Sequence, residues 1–228
     1  FCSRGDIVTN LRAADARFRP KCEAKIESAL FQNTKTGATI TIKNHSSYES
    51  ALRVFGEQIV DYDVMCTERN PWEKAISSFY WKGNGKADMS DAKRSNNFVR
   101  GNRSPDDFWF YTLYEIPVVD FAIRQECIHE DYIAFLAYFK ANIEDFPLVR
   151  SAKTGARPKE ATLKRMYSLE RTREQIGKQF ADQLAYIPYK FGEMNVPDFH
   201  VSEERKKVRT RFLEENDCGS TYWQRITD

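Results

Sequence analysis

The stretch Tyr62-Asp63-Val64-Met65-Cys66-Thr67-Glu68-Arg69-Asn70-Pro71-Trp72-Glu73-Lys74-Ala75-Ile76-Ser77-Ser78-Phe79-Tyr80-Trp81 decides the fold class. Its first six residues are β-leaning, with polar flanks, and predict a short buried strand. Asn70 is a good helix N-cap, Pro71 suits the first helical position, and Glu73 stands where an N3 carboxylate pairs with the cap. Trp72, Ala75, Ile76, Phe79 and Tyr80 then fall at i, i+3, i+4, i+7 and i+8, one apolar stripe of a helix. Strand, tight turn and capped helix follow in order. Such an end favours anions through its free N–H groups and dipole, and Arg69 adds a planar fork suited to phosphate oxygens. An ordinary capped helix with a surface arginine is the plain alternative, because most helix N-termini bind nothing.

Outward from this unit, Phe31–Asn44 has a Thr/Gly turn followed by alternating Thr and Ile, and predicts a hairpin or a single strand. Ser46 and Glu49 predict a capping box for a helix that Gly56 ends. Residues 82–103 are polar and rich in Gly and Asn, a loop pattern. Ser104 to Asp107 predicts a helix start running to Leu113. Val118–Arg124 predicts a second buried strand, and His129–Lys140 an amphipathic helix. Residues 150–158 form a basic, Gly-containing loop, residues 159–186 are helical in pattern, and Arg205–Arg211 belongs to a charged, solvated helix. Strands alternating with helices predict an α/β fold with a mainly parallel sheet. The expected division is one domain over 1–197 and a polar helical extension over 198–228.

The 228 residues carry 35 Lys and Arg against 33 Asp and Glu, a net charge of +2, which argues against a nucleic-acid-coating protein but leaves room for a local anion pocket. No apolar run approaches the ~18–20 residues of a membrane span. Cys2, Cys22, Cys66, Cys127 and Cys218 are scattered, and His45, His129 and His200 are isolated from them, so no metal site is expected and reduced, cytoplasmic cysteines are.

Arg69-Asn70-Pro71-Trp72-Glu73-Lys74-x-x-Ser77-x-x-Tyr80 resembles the 3′-phosphate-binding motif of sulfotransferases that use 3′-phosphoadenosine 5′-phosphosulfate (PAPS), in the carbohydrate or Golgi-type branch and its bacterial relatives. The resemblance extends to His45-Ser46-Ser47 upstream. Downstream, Val119-Asp120-Phe121-Ala122-Ile123-Arg124-Gln125-Glu126 is similar to a family strand, with Gln125 in place of an aromatic. Lys153-Thr154-Gly155-Ala156-Arg157-Pro158 is similar to a loop near the nucleotide. The resemblance covers roughly residues 1–192 and implies a three-layer, P-loop-nucleotide-binding-like fold. It also implies that Arg69 and Ser77 grip the 3′-phosphate, that Lys153 and Arg157 close over the donor, and that His45 takes the acceptor's proton, with Glu68 and Glu126 as secondary candidates for that base. The implied reaction moves a sulfuryl group to a hydroxyl acceptor, expected to be a glycan, with no metal, no nucleic acid and no membrane span.

The family's other hallmark, a Lys-Thr-Gly/Ala-x-Thr-Ser phosphosulfate loop, has one lookalike here. Lys35-Thr36-Gly37-Ala38-Thr39 shares its letters but runs into Ile40-Thr41-Ile42, an extended pattern. The expectation is that this stretch is a decoy and that the chain is N-terminally truncated, its true loop lying ahead of Phe1. A rearranged loop at 35–39 would need a strand ending at Lys35 and a helix starting near Thr36. A catalytically incomplete nucleotide- or glycan-binding module is the alternative function, with 205–211 as its basic run. A P-loop kinase or NTPase is a third reading, which would need a Gly-x-x-x-x-Gly-Lys-Ser/Thr run that does not occur in these residues.

Overall fold

The computed structural model describes residues 29–42, 46–81, 98, 107–141, 144, 157–193, 198 and 201–226. They form a mixed α/β chain with small sheets of two and three strands. Contacts divide the chain into two compact units. Unit 1 takes residues up to Thr67, Asp107–Ile123 and Val201 onward, and unit 2 takes Glu68–Asp106 and Arg124–His200.

In unit 1, β1 (Ala29–Asn33) pairs antiparallel with β2 (Thr39–Ile42), Gln32 opposite Thr39. The turn between them follows from Asn33, whose Oδ1 accepts the N–H groups of Lys35 and Thr36, both at 3.0 Å, while Gly37 takes φ +73°. The lookalike stretch is thus a hairpin turn. No helix starts at Thr36, and two of the amides a phosphate loop would offer are held by Asn33. Strand β7 (Trp223–Ile226) adds antiparallel to the other edge of β1, Leu30 opposite Ile226.

Helix α1 (Tyr48–Phe55) is capped one residue later than expected, since Ser47 accepts from Ser50 N–H at 3.1 Å. It ends at Gly56, and α2 (Glu57–Val60) follows. Strands β3 (Met65–Glu68) and β6 (Phe121–Arg124) are hydrogen-bonded neighbours and correspond to the two buried strands expected from sequence. The helix expected up to Leu113 is instead a 3-10 turn, Phe108–Tyr111, followed by a hairpin of β4 (Thr112–Leu113) and β5 (Ile116–Pro117). Its two linking residues, Tyr114 and Glu115, have φ +50° and +65°. Both central positions of such a tight hairpin turn need positive φ, which Tyr and Glu rarely adopt, so nothing in the letters marked the turn.

The C-terminal charged run is a solvated face in part only: Lys206, Lys207, Thr210, Arg211, Glu214 and Glu215 are exposed. It forms α8 (Arg205–Glu215), whose Val208 and Phe212 are buried and whose Arg209 is 1% exposed. Arg209 Nε and Nη1 donate to the carbonyls of Val118 and Tyr62, both at 3.1 Å, and Nη2 donates to Asp120 Oδ2 at 2.5 Å. Arg205 Nε donates to Asp120 Oδ1 at 2.6 Å, and Arg211 pairs with Glu215 at 2.8 Å. Arg205 and Arg209 of the basic run are thus engaged inside the fold, while Lys206, Lys207 and Arg211 stay exposed.

Unit 2 is built on α3 (Pro71–Trp81). Its predicted stripe, Trp72, Ala75, Ile76, Phe79 and Tyr80, is buried against Phe98, Met166, Tyr167, Ile176 and Phe180. Burial of one such large side chain is worth roughly 1.5–3 kcal/mol. Helix α4 (Ile128–Tyr138) matches the expected 129–140 segment, and the 159–186 helical pattern resolves into α5 (Leu163–Met166), α6 (Glu170–Gln179) and α7 (Ala181–Tyr186).

Candidate anion site at the start of helix α3

The turn from β3 into α3 is held by side chains. Asn70 Oδ1 accepts from Trp72 N–H at 3.1 Å and Glu73 N–H at 3.5 Å, and Asn70 O accepts from Lys74 N–H at 2.8 Å. Pro71 has no N–H. The helix end therefore offers no free amide in its first turn, contrary to the simple expectation for a helix N-terminus. Glu73 does not close the capping box either, because the Asn70 N–H donates to Glu126 Oε1 at 2.8 Å.

Glu68, 1% exposed, braces the same turn. Its Oε2 accepts from Arg69 N–H at 3.3 Å and from Gln183 Nε2 at 2.6 Å, with Lys74 Nζ at 3.5 Å. Gln183 Nε2 also donates to the Arg69 carbonyl at 3.2 Å. Tyr189 OH donates to Glu126 Oε2 at 3.3 Å, and burial with these carboxylates nearby raises the tyrosine's pKa. Both secondary base candidates, Glu68 and Glu126, are thus engaged in holding the turn.

The cationic part of the site comes from two distant places. Arg69 Nη2 donates to Glu73 Oε2 at 3.5 Å, and Arg157 Nη1 donates to the same oxygen. Arg157 is anchored by its Nε and Nη2, which donate to Ala161 O at 2.9 and 2.5 Å. Arg69 is not anchored in this way. Its side chain is only 24% exposed, yet among the described residues its Nε and Nη1 have no partner. Burial lowers its pKa, Glu73 and Glu126 oppose that shift, and Arg157 adds to it. A guanidinium carries five N–H donors, and Nε and Nη1 of Arg69 are not among the buried atoms left without a partner, so they face solvent and are open to an acceptor.

Ser77 lies on α3 one turn beyond Glu73, hence on the same face. It is half-buried, and its hydroxyl has no partner among the described residues. The structure thus brings Arg69 and Arg157 together at Glu73, with Ser77 one turn further along α3. His45 and Lys153 lie outside the described residues. Arg124, from the Val119–Glu126 segment, is not part of this cluster. Its Nε and Nη2 grip Asp131 at 2.8 and 2.6 Å, its Nη1 reaches Asp198 at 3.1 Å, and the Asp131 hydrogen bonds raise its pKa. Sequence reading missed the roles of Glu73 and Gln183, because an N3 glutamate reads as a capping partner and a mid-helix glutamine carries no signal.

Among the described residues no group of three or more His, Cys, Asp or Glu is placed to hold a metal ion, and no helix is long and apolar enough to cross a membrane. Compared with protein-family models, curated proteins and solved structures, the chain finds no match.

Proposed function

We propose that the chain binds PAPS through its 3′-phosphate and transfers the sulfuryl group to a hydroxyl acceptor, a carbohydrate by the resemblance. The single observation that carries this reading is the convergence of Arg69 and Arg157, 88 positions apart in sequence, on one oxygen of Glu73, with donors of Arg69 unused among the described residues. These two residues come from two separate stretches that resemble the family's motifs, and the Ser77 hydroxyl of the first stands one turn beyond Glu73. A 3′-phosphomonoester would give Arg69 the paired acceptors its fork is shaped for, and would take a further hydrogen bond from Ser77. PAPS supplies the activated sulfuryl group. The chain's own part is to bind and orient the nucleotide, with His45 accepting the proton of the acceptor hydroxyl. The three-layer, P-loop-like arrangement of the family belongs to the same proposal, and the strand, Arg69-Asn70-Pro71 turn and α3 support it.

The test is binding of 3′,5′-adenosine bisphosphate, followed by calorimetry and by the rise in melting temperature. 5′-AMP, which lacks the 3′-phosphate, is the control. Binding of the bisphosphate alone, lost in Arg69→Ala, is expected; equal binding of 5′-AMP, or binding retained in Arg69→Ala, refutes the assignment. A second reading, nucleotide binding without transfer, is favoured by the turn at Thr34–Gly37, where Asn33 takes the amides that a phosphosulfate loop would present. Transfer of labelled sulfate from PAPS to a glycan mixture separates the two.

A further inference from the structure

We propose that Glu73 is a built-in competitor for the anion site, holding the two arginines until a phosphate displaces it. The inference rests on the anion-site reading above. Glu73 Oε2 accepts from both Arg69 and Arg157, so the carboxylate sits at the point where the two guanidinium groups converge. No other carboxylate contacts either guanidinium among the described residues, and Glu73 is itself only 24% exposed. The two forks differ in how firmly they are committed. Arg157 is fixed by two bonds to Ala161 O, whereas Arg69 has a single 3.5 Å bond to Glu73. The Arg69 end of the pair is the one that opens.

The charge arithmetic explains why such a residue is useful. Two half-buried guanidinium groups side by side repel each other, and a carboxylate between them offsets that repulsion in the empty protein. A phosphate monoester brings more charge and three oxygens to the same donors, so it displaces the carboxylate, but part of its binding energy goes into the exchange. The bound nucleotide is consequently held less tightly than two arginines alone would hold it. The carboxylate stays tethered one helical turn from Ser77, ready to retake the arginines when the phosphate leaves. Glu73 therefore sets both the affinity of the site and the rate at which the spent nucleotide departs.

The experiment compares the full chain with Glu73→Gln and Glu73→Asp, using 3′,5′-adenosine bisphosphate as the probe at pH 8. Calorimetry gives affinity and stopped-flow displacement gives the release rate. Glutamine keeps the shape and removes the competing charge, so binding about tenfold tighter and release correspondingly slower are expected. Aspartate keeps the charge but falls one methylene short, and its affinity is expected between the two, which keeps the test open if the glutamine variant does not fold. If Glu73 merely positioned the arginines, both variants would bind more weakly than the parent chain. Weaker or unchanged binding in the variants, with the parent binding and Arg69→Ala not binding, overturns the competitor role and leaves the anion site standing. No binding by parent or variants overturns the anion site itself, and this inference with it.

Discussion

A Cβ added to Gly56 would lie 2.7 Å from the Cα of Gly219 and 2.8 Å from its nitrogen. Gly56 ends α1 with φ +51° and ψ −126°, and the Gly219 N–H donates to Arg53 O at 2.8 Å, so two glycines let the C-terminal segment lie flat against the helix end. Neither backbone can yield without losing a cap or a hydrogen bond. Gly56→Ala is expected to destabilise unit 1 by roughly 3 kcal/mol, combining a left-handed residue with a backbone clash. Urea unfolding of the variant checks this; a loss below about 1 kcal/mol would show that the two segments separate freely.

The Asp120 clamp predicts a pH dependence. Burial alone would push the Asp120 carboxyl up, but hydrogen bonds from Arg209, the Val64 N–H and Arg205 outweigh it and hold the carboxyl below its usual value. A carboxyl depressed in the folded state stabilises the fold fully above its unfolded value, roughly 3.9, and loses that contribution as pH falls through the lower folded value. Unit 1 should weaken progressively below about pH 4. Asp120→Asn should remove this component from an acid titration of stability. At neutral pH the same variant should cost about 3 kcal/mol, since Arg209 would be left buried without its counter-charge.

The hairpin at Tyr114-Glu115 offers a stabilising change. Glu115 has φ +65°, where glycine is at ease. Glu115→Gly should raise stability by about 1 kcal/mol. Tyr114 should be kept, because its hydroxyl donates to Glu215 at 2.6 Å and its ring lies 4.9 Å from the Arg211 guanidinium. Thermal melts of the two single variants, Glu115→Gly up and Tyr114→Gly down, check the pair.

Ser77→Ala tests the proposed phosphate grip. Loss of one hydrogen bond to a charged oxygen should weaken 3′,5′-adenosine bisphosphate by about tenfold or more. The melting temperature without nucleotide should stay unchanged, since the hydroxyl has no partner among the described residues. A drop in that temperature with unaltered affinity would return Ser77 to a purely structural role.

Asn70→Ala should cost about 1 kcal/mol, the ordinary worth of an N-cap, because Trp72 and Glu73 would lose their shared acceptor. Asn70→Asp, which keeps an acceptor oxygen, should restore most of it in the same denaturation assay.

These residues also show what the sequence made legible. The α3 stripe was readable because five apolar residues at helical spacing leave one way to bury them, and all five are buried. The Asn33-to-Gly37 turn was readable because its letters suit a hairpin. Tyr114-Glu115 was not, since its backbone is imposed by the ring and hydroxyl contacts to α8 rather than by local preference. Arg209 was not readable either. A charge run looks solvated unless its partners, here two carbonyls and Asp120 from distant segments, are known. At the candidate site, Arg69, Ser77 and Arg157 were named from pattern. The opposing carboxylate was hidden inside the capping pattern at Glu73.

The closed helix end at Asn70 has a bearing on which small ions contest the site. A ring of bare amide hydrogens is a round socket that a halide fills as readily as an oxyanion. The planar fork of Arg69 asks instead for paired oxygens at fixed spacing. Chloride should therefore screen this site without occupying it, while sulfate, inorganic phosphate and carboxylate buffers compete for it directly.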